Sequence, residues 1–138
     1  MSIDPRLHTP VYVQLADLLR QRIESGELRP GSLIPSEARL TQEYGIGREA
    51  VRMAVALLRS EGLVRTQRGH GSYVRELTER RTIELTAGSS AIARMPTGAE
   101  RRDLGLDEGV PVLEIRDAKG KTEVLPGDEI KLTRPTTD

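Results

Sequence analysis

Apolar residues recur at three- and four-residue intervals early in the chain, where Val11, Leu15, Leu18, Leu19 and Ile23 form one stripe. That spacing predicts an amphipathic helix that opens at Thr9-Pro10 and stops at Ser25-Gly26. Leu28-Arg29-Pro30-Gly31 reads as a turn. A second, short helix is expected from Ser36, an N-cap, with Glu37 favourably placed at the positive end of the helix. Leu40 and Tyr44 face inward, Gly45 ends the helix with its access to positive φ, and Ile46 fills the space before the next helix. From about Arg48 to Ser60, Val51, Ala54, Val55 and Leu58 repeat at helical spacing, which leaves Arg48, Glu49, Arg52 and Arg59 on more exposed faces.

After Gly62 the period changes to two. Leu63–Gln67 reads as a strand, Arg68-Gly69-His70-Gly71 as a tight turn, and Ser72–Arg75 as the returning strand of a two-stranded wing. Residues 77–82 are polar and read as a linker. Beyond them, strands are expected at Ile83–Thr86, Ala91–Met95, Val110–Arg116, Thr122–Leu125 and Ile130–Leu132, with a short helix from Gly98 to Leu104 capped by Pro96-Thr97. Asp117–Lys121 joins two of these strands as a hairpin, and the last residues are expected to fray. The fold class is therefore α+β: an N-terminal winged helix-turn-helix over 1–76, a linker over 77–82 and a small β-rich module over 83–138.

Composition narrows the function. A chain of 138 residues without Phe or Trp and with three Tyr must build an aliphatic core, which disfavours base-stacking platforms. The absence of cysteine excludes disulfides, thiolate metal sites and cysteine nucleophiles, and the two His are too far apart in sequence to suggest a metal pair. No apolar run is long enough to span a bilayer and no signal-peptide pattern opens the chain, so a cytoplasmic protein without membrane contact is expected. No nucleophile, base and orienting group come together in the sequence, so neither catalysis nor a cofactor is expected. Net charge is zero, yet residues 1–76 carry eleven Arg and no Lys against nine carboxylates, while residues 77–138 carry ten cations against twelve. Arginine on the basic half suits bidentate contact to guanine edges and phosphates. In helix-turn-helix proteins the start of the second helix enters the major groove, which is where Arg48 and Arg52 stand, one turn apart.

Several motifs follow at fixed spacing: Pro10-Val11-Tyr12-Val13-Gln14-Leu15, Ile34-Pro35-Ser36-Glu37, Arg48-Glu49-Ala50-Val51-Arg52, Glu61-Gly62-Leu63-Val64 and Gly69-His70-Gly71-Ser72-Tyr73-Val74. Together they resemble the DNA-binding domain of the GntR family of bacterial transcription regulators over about residues 8–76. The resemblance implies that Arg48 and Arg52 read bases, and that Gly69 of the wing approaches the minor groove. Ala38 stands where the family often has Arg and Arg39 follows it, so the second-helix contact is either shifted or reduced to phosphate, and Gly47 replaces the usual Ser or Thr cap. Ser36 is a cap and a candidate phosphate contact, and Glu49, Gln67, Arg68 and His70 complete the expected DNA-facing set.

Residues 93–115 and Leu125-Pro126-Gly127-Asp128 are similar to parts of the UTRA-type ligand domain of the HutC subfamily, in shortened form. Dimerisation is the favoured role for this region, and effector binding stays open. The expected partner is double-stranded DNA, bound by a homodimer at an inverted-repeat operator in the manner of a repressor. The alternative is an adaptor that uses the winged helix to bind another protein.

Overall fold

The computed structural model describes residues 2–76 and 79–136. The chain divides into two compact units, Met1–Glu76 and Leu77–Asp138.

The first unit holds α1 (Val11–Glu24), α2 (Glu37–Tyr44), α3 (Arg48–Ser60), β1 (Val64–Gln67) and β2 (Gly71–Val74). Its core is aliphatic: Leu15, Ala16 and Leu19 from α1, Leu40 from α2, Val51, Ala54 and Leu58 from α3, and Val64 and Val74 from the hairpin are buried together. Each fully buried Leu in such a cluster contributes roughly 1.5–3 kcal/mol relative to an exposed one. The apolar stripe expected on α1 is half right. Leu15 and Leu19 are buried, but Val11 and Leu18 stay half-exposed while Ala16 takes a fully buried place. A small residue is what a helix presents where another backbone comes close, and α1 packs directly on α3.

Side chains tie these elements at their ends. Pro10 leaves α1 without a side-chain cap, and its carbonyl receives the Val13 and Gln14 N–H groups, each at 3.1 Å. Gln14 then donates to the Asp4 and Thr9 carbonyls at 2.8 and 2.9 Å and accepts the Asp4 N–H at 2.9 Å, which fastens the segment ahead of the helix. On the other side of α1, Arg20 donates to both carboxylate oxygens of Glu61, just past α3, and to Asp17 at 2.6 Å.

β1 and β2 pair antiparallel from Val64↔Val74 to Gln67↔Gly71. The wing is wider than the two strands expected from the sequence. Residues 31–34 lie along β2 through an antiparallel bridge of Leu33 with Tyr73 and three backbone hydrogen bonds: Gly31 N–H to Val74 O, Val74 N–H to Ser32 O and Ile34 N–H to Ser72 O. The turn read at Leu28–Gly31 is present, with the Ser32 N–H on the Arg29 carbonyl at 3.0 Å, and the stretch that follows it acts as a third strand.

The second unit contains β3 (Arg81–Glu84), β4 (Ser90–Arg94), α4 (Gly98–Leu104), β5 (Val112–Arg116), β6 (Thr122–Pro126) and β7 (Ile130–Thr133). β4, β5 and β6 form one antiparallel sheet, and β3 pairs parallel with β7. Val110, Val112 and Ile130 are its buried residues. Most strand boundaries differ from the sequence reading by one or two residues, and three of the differences have a visible cause. β3 starts at Arg81, inside the stretch expected to be linker, because the β7 pairing begins at Arg81↔Ile130 and Arg80 is anchored to the Gly127 and Ile130 carbonyls at 2.9 and 3.0 Å. β5 starts at Val112 rather than Val110, since Pro111 has no N–H to give and its carbonyl accepts from Gly127 N–H at 2.8 Å. β2 begins at Gly71, one residue earlier than expected, in register with Gln67. The hairpin at Asp117 forms as expected, its carboxylate accepting the Lys119 and Lys121 N–H groups at 2.9 Å. Leu77 and Thr78 of the expected linker, and residues 137–138 of the expected frayed end, lie outside the described residues.

α4 opens on a reciprocal cap. Thr97 Oγ1 accepts the Glu100 N–H at 3.1 Å and the Glu100 carboxylate accepts the Thr97 N–H at 2.9 Å. Arg94, at the end of β4, grips the same carboxylate with two donors at 2.8 and 2.7 Å. The Arg94 guanidinium, with the Thr97 N–H behind it, holds the Glu100 carboxyl down at about 2, below the ordinary 4.5. A carboxyl lowered in the folded chain adds stability above its ordinary value and loses it as pH falls through the folded value. Thermal unfolding of the wild type and Glu100→Gln across a pH series should therefore show the wild type ahead at neutral pH, with the gap closing between about 4.5 and about 2. A constant gap across that range would contradict the pairing.

Candidate nucleic-acid interface

Two helix starts and the wing tip build the candidate site. α2 begins at Ser36, whose backbone is extended and whose Oγ accepts the Arg39 N–H at 3.1 Å. It ends at Gly45, φ 65°, where the left-handed conformation turns the chain within three residues into α3. Gly47 caps α3 by backbone shape alone, with no side-chain hydrogen bond. Ile46, half-buried against the core, fixes this turn from inside. Val51, Ala54 and Leu58 are buried, so the opposite face of α3 is held outward.

Arg48 and Arg52 stand on that outward face, their side chains 73% and 62% exposed. Facing them from the first turn of α2 is Glu37. Its Oε2 accepts from Arg52 Nε at 3.2 Å, and its Oε1 is 3.8 Å from Arg48 Nε. Arg39 and Glu49 are exposed nearby in the first turns of α2 and α3.

The wing supplies the other wall. Gln67 ends β1, and Arg68, Gly69 and His70 form an exposed turn in which the His70 N–H reaches the Gln67 carbonyl at 3.0 Å. Gly69 at φ 83° and Gly71 at φ 108° hold conformations that side chains rarely adopt. Arg59, near the end of α3, donates to Thr66 Oγ1 at 2.9 Å, and Thr66 and Ser72 share a hydrogen bond of 2.9 Å across the two strands. The wing is thereby latched to the helix.

A cleft of about 610 Å³ separates α3 from the wing. Leu33, Ile34, Leu40, Val51 and Val55 are among its apolar lining, and Ser36, Glu37, Arg52, Arg59, Thr66, His70 and Ser72 supply its polar and charged groups. Of the residues singled out in the sequence, Ser36, Arg52 and His70 meet in this cleft, and Arg48 joins Arg52 through Glu37. Arg39, Glu49, Gln67, Arg68 and Gly69 are exposed but do not line it. The sequence reading missed the placement of Glu37, which it used only as a charge at a helix start, and the Arg59–Thr66–Ser72 latch. The alternation of Thr66 and Ser72 about a tight turn would have placed both hydroxyls on one face of the hairpin.

An array of exposed Arg donors at the start of the second helix, with hydroxyls and glycines on a wing, suits the edge and backbone of a duplex. Residues 11–74 match the family described as bacterial regulatory proteins, gntR family. YtrA from Sulfolobus acidocaldarius, a GntR-family transcription factor, is 33% identical over 54% of this chain and 79% of that chain, with a TM-score of 0.51. The chain belongs to the GntR family. Its first unit is also similar to the AraR DNA-binding domain solved in complex with operator ORX1, at 30% identity over 54% of this chain and 92% of that one, with a TM-score of 0.50. Among characterised relatives, the mannosyl-D-glycerate transport/metabolism system repressor MngR of Escherichia coli (strain K12) is 41% identical over 69 residues. That match covers 50% of this GntR-family chain and 29% of the repressor's length.

Among the described residues, no helix is long and apolar enough to cross a membrane. No group of three or more His, Cys, Asp or Glu among them could hold a metal ion.

The cap at Ser36 gives a direct test of how the site is positioned. Ser36→Ala is expected to lower the stability of the chain by about 0.5–2 kcal/mol, and Ser36→Gly by only a few tenths. Urea unfolding of the three proteins checks the order; equal losses would mean that the hydroxyl is not what holds the start of α2.

Proposed function

We propose that this chain is a sequence-specific DNA-binding transcription regulator, acting as a repressor on an inverted-repeat operator to which it binds as a homodimer. The observation that carries the reading is the pair of exposed guanidiniums, Arg48 and Arg52, one turn apart at the start of the second helix of a helix-turn-helix. A guanidinium presents two parallel N–H donors that match the O6 and N7 acceptors of guanine, so these two residues read bases in the major groove. Ser36, Arg39 and Glu49 border that contact, with Ser36 and Arg39 toward phosphate. Gln67, Arg68, Gly69 and His70 bring the wing tip to the backbone and the minor groove. The operator-bound AraR domain supports duplex DNA as the partner, and the likeness to the repressor MngR supports negative control.

Two copies are expected because one winged helix with a few base contacts binds weakly, whereas two linked copies gain through effective concentration. In this reading the unit from Leu77 onward, with its small sheets, is the module that joins them, and the winged unit 1–76 is the reader.

The experiment is selection of bound duplexes from a random library by the purified chain, followed by anisotropy titration of the winner. Arg48→Ala and Arg52→Ala are each expected to weaken the selected site by about 1–3 kcal/mol while changing scrambled DNA far less, and wild-type affinity should fall steeply with salt. Two chains per duplex and a palindromic winner are expected. Loss of neither affinity nor selectivity in the two variants would overturn the base-reading assignment, and binding without salt dependence would favour a protein-binding adaptor.

A further inference from the structure

We infer that Glu37 is a specificity-determining residue of the DNA-reading face, setting Arg48 and Arg52 for base edges while weakening their hold on phosphate. The inference rests on the reading of those two arginines as base contacts. One carboxylate serves both: Oε2 takes the Arg52 Nε–H at 3.2 Å and Oε1 faces Arg48 Nε at 3.8 Å. Both contacts use the inner Nε edge. Among the described residues, neither arginine makes a hydrogen bond from Nη1 or Nη2. Those are donors a guanine edge can take, so Glu37 restrains two long side chains without occupying their outer reading groups. Ordering a rotamer-rich side chain before binding removes part of the entropy that association would otherwise cost.

The charge of Glu37 acts in the same direction. Glu37 is less exposed than either arginine, at 34% against 73% and 62%, and its carboxylate lies against their inner Nε edges as a nearby negative group. A phosphate drawn to the two cations must also approach that carboxylate. A guanine edge is neutral and meets no comparable repulsion. Glu37 thus penalises backbone-only binding more than base contact, and selectivity depends on that difference.

A merely structural role is separable. Glu37 lies in the first turn of α2, where any carboxylate favours the helix. Losing that effect would lower the melting temperature and move both kinds of DNA binding together. The test uses the full chain, the duplex it selects from a random library and a scrambled duplex, with wild type, Glu37→Gln and Glu37→Asp titrated at two salt concentrations. Glu37→Gln is expected to bind scrambled DNA more tightly, with a log–log salt slope steeper by about one. Its ratio of selected-site to scrambled affinity should fall at least about fivefold, the lower end of what one bidentate base contact is worth. Glu37→Asp keeps the charge and withdraws it by one methylene, so it should keep weak scrambled binding and lose affinity for the selected site. An unchanged ratio in Glu37→Gln, with both affinities constant or moving together, overturns the inference and leaves the base-reading role of the arginines standing. If the wild type selects no sequence, or if Arg48→Ala and Arg52→Ala bind the selected site normally, the base-reading role fails and this inference fails with it.

Discussion

The rest of the first unit depends on one constraint: α3 must bury Val51, Ala54 and Leu58 while leaving Arg48 and Arg52 in solvent. A helix can do this only if one face is sealed against neighbours at several points. Leu15, Ala16 and Leu19 of α1, together with Leu40 of α2, provide that seal, and Arg20 clamps α1 to Glu61 just beyond the end of α3. The three-residue turn at Gly45 and the half-buried Ile46 then set the angle between α2 and α3. Because the core is aliphatic and closely assembled, rotation of α3 about its axis would expose apolar surface, so the outward direction of the arginines is a consequence of packing.

The same economy governs the wing. Two short strands alone are marginal, and here they gain a third edge from residues 31–34 and a latch from Arg59 through Thr66 to Ser72. α2 starts where that added strand ends, so Ser36, Glu37 and the hairpin are mechanically joined through Leu33 and Ile34. The cleft between α3 and the wing is therefore bounded by elements that share hydrogen bonds, which favours a preformed surface over one assembled on contact.

Much of this was legible in the sequence, and what was not has physical causes. The three helices were visible because Leu15, Leu19, Leu40, Val51 and Leu58 repeat at helical spacing between clear stop residues. Ala16 was not, because a small residue carries little periodic signal even when its burial is complete. The strand-like role of 31–34 was hidden by Pro30 and Pro35, which mark a turn locally, while the pairing partner lies about forty residues away. The positions of Arg48 and Arg52 followed from motif and spacing, whereas the carboxylate of Glu37 between them depends on how α2 crosses α3. In the second unit, the β5–β6 hairpin was readable from the turn residues of Asp117–Lys121, but the β4–β5 pairing spans α4 and the parallel β3–β7 pair joins ends of the unit, and no local pattern connects either.

The most direct test of the central claim, that the start of α3 with the wing tip is the surface that meets DNA, is a backbone amide NMR titration with the duplex the chain selects. The account expects the largest shifts at residues 36–39, 48–52 and 67–70, on the face that Arg48, Arg52 and the wing turn share. Shifts centred instead around Ile3, Leu18, Gln21 and Tyr44, at the separate cleft between α1 and α2, would contradict it.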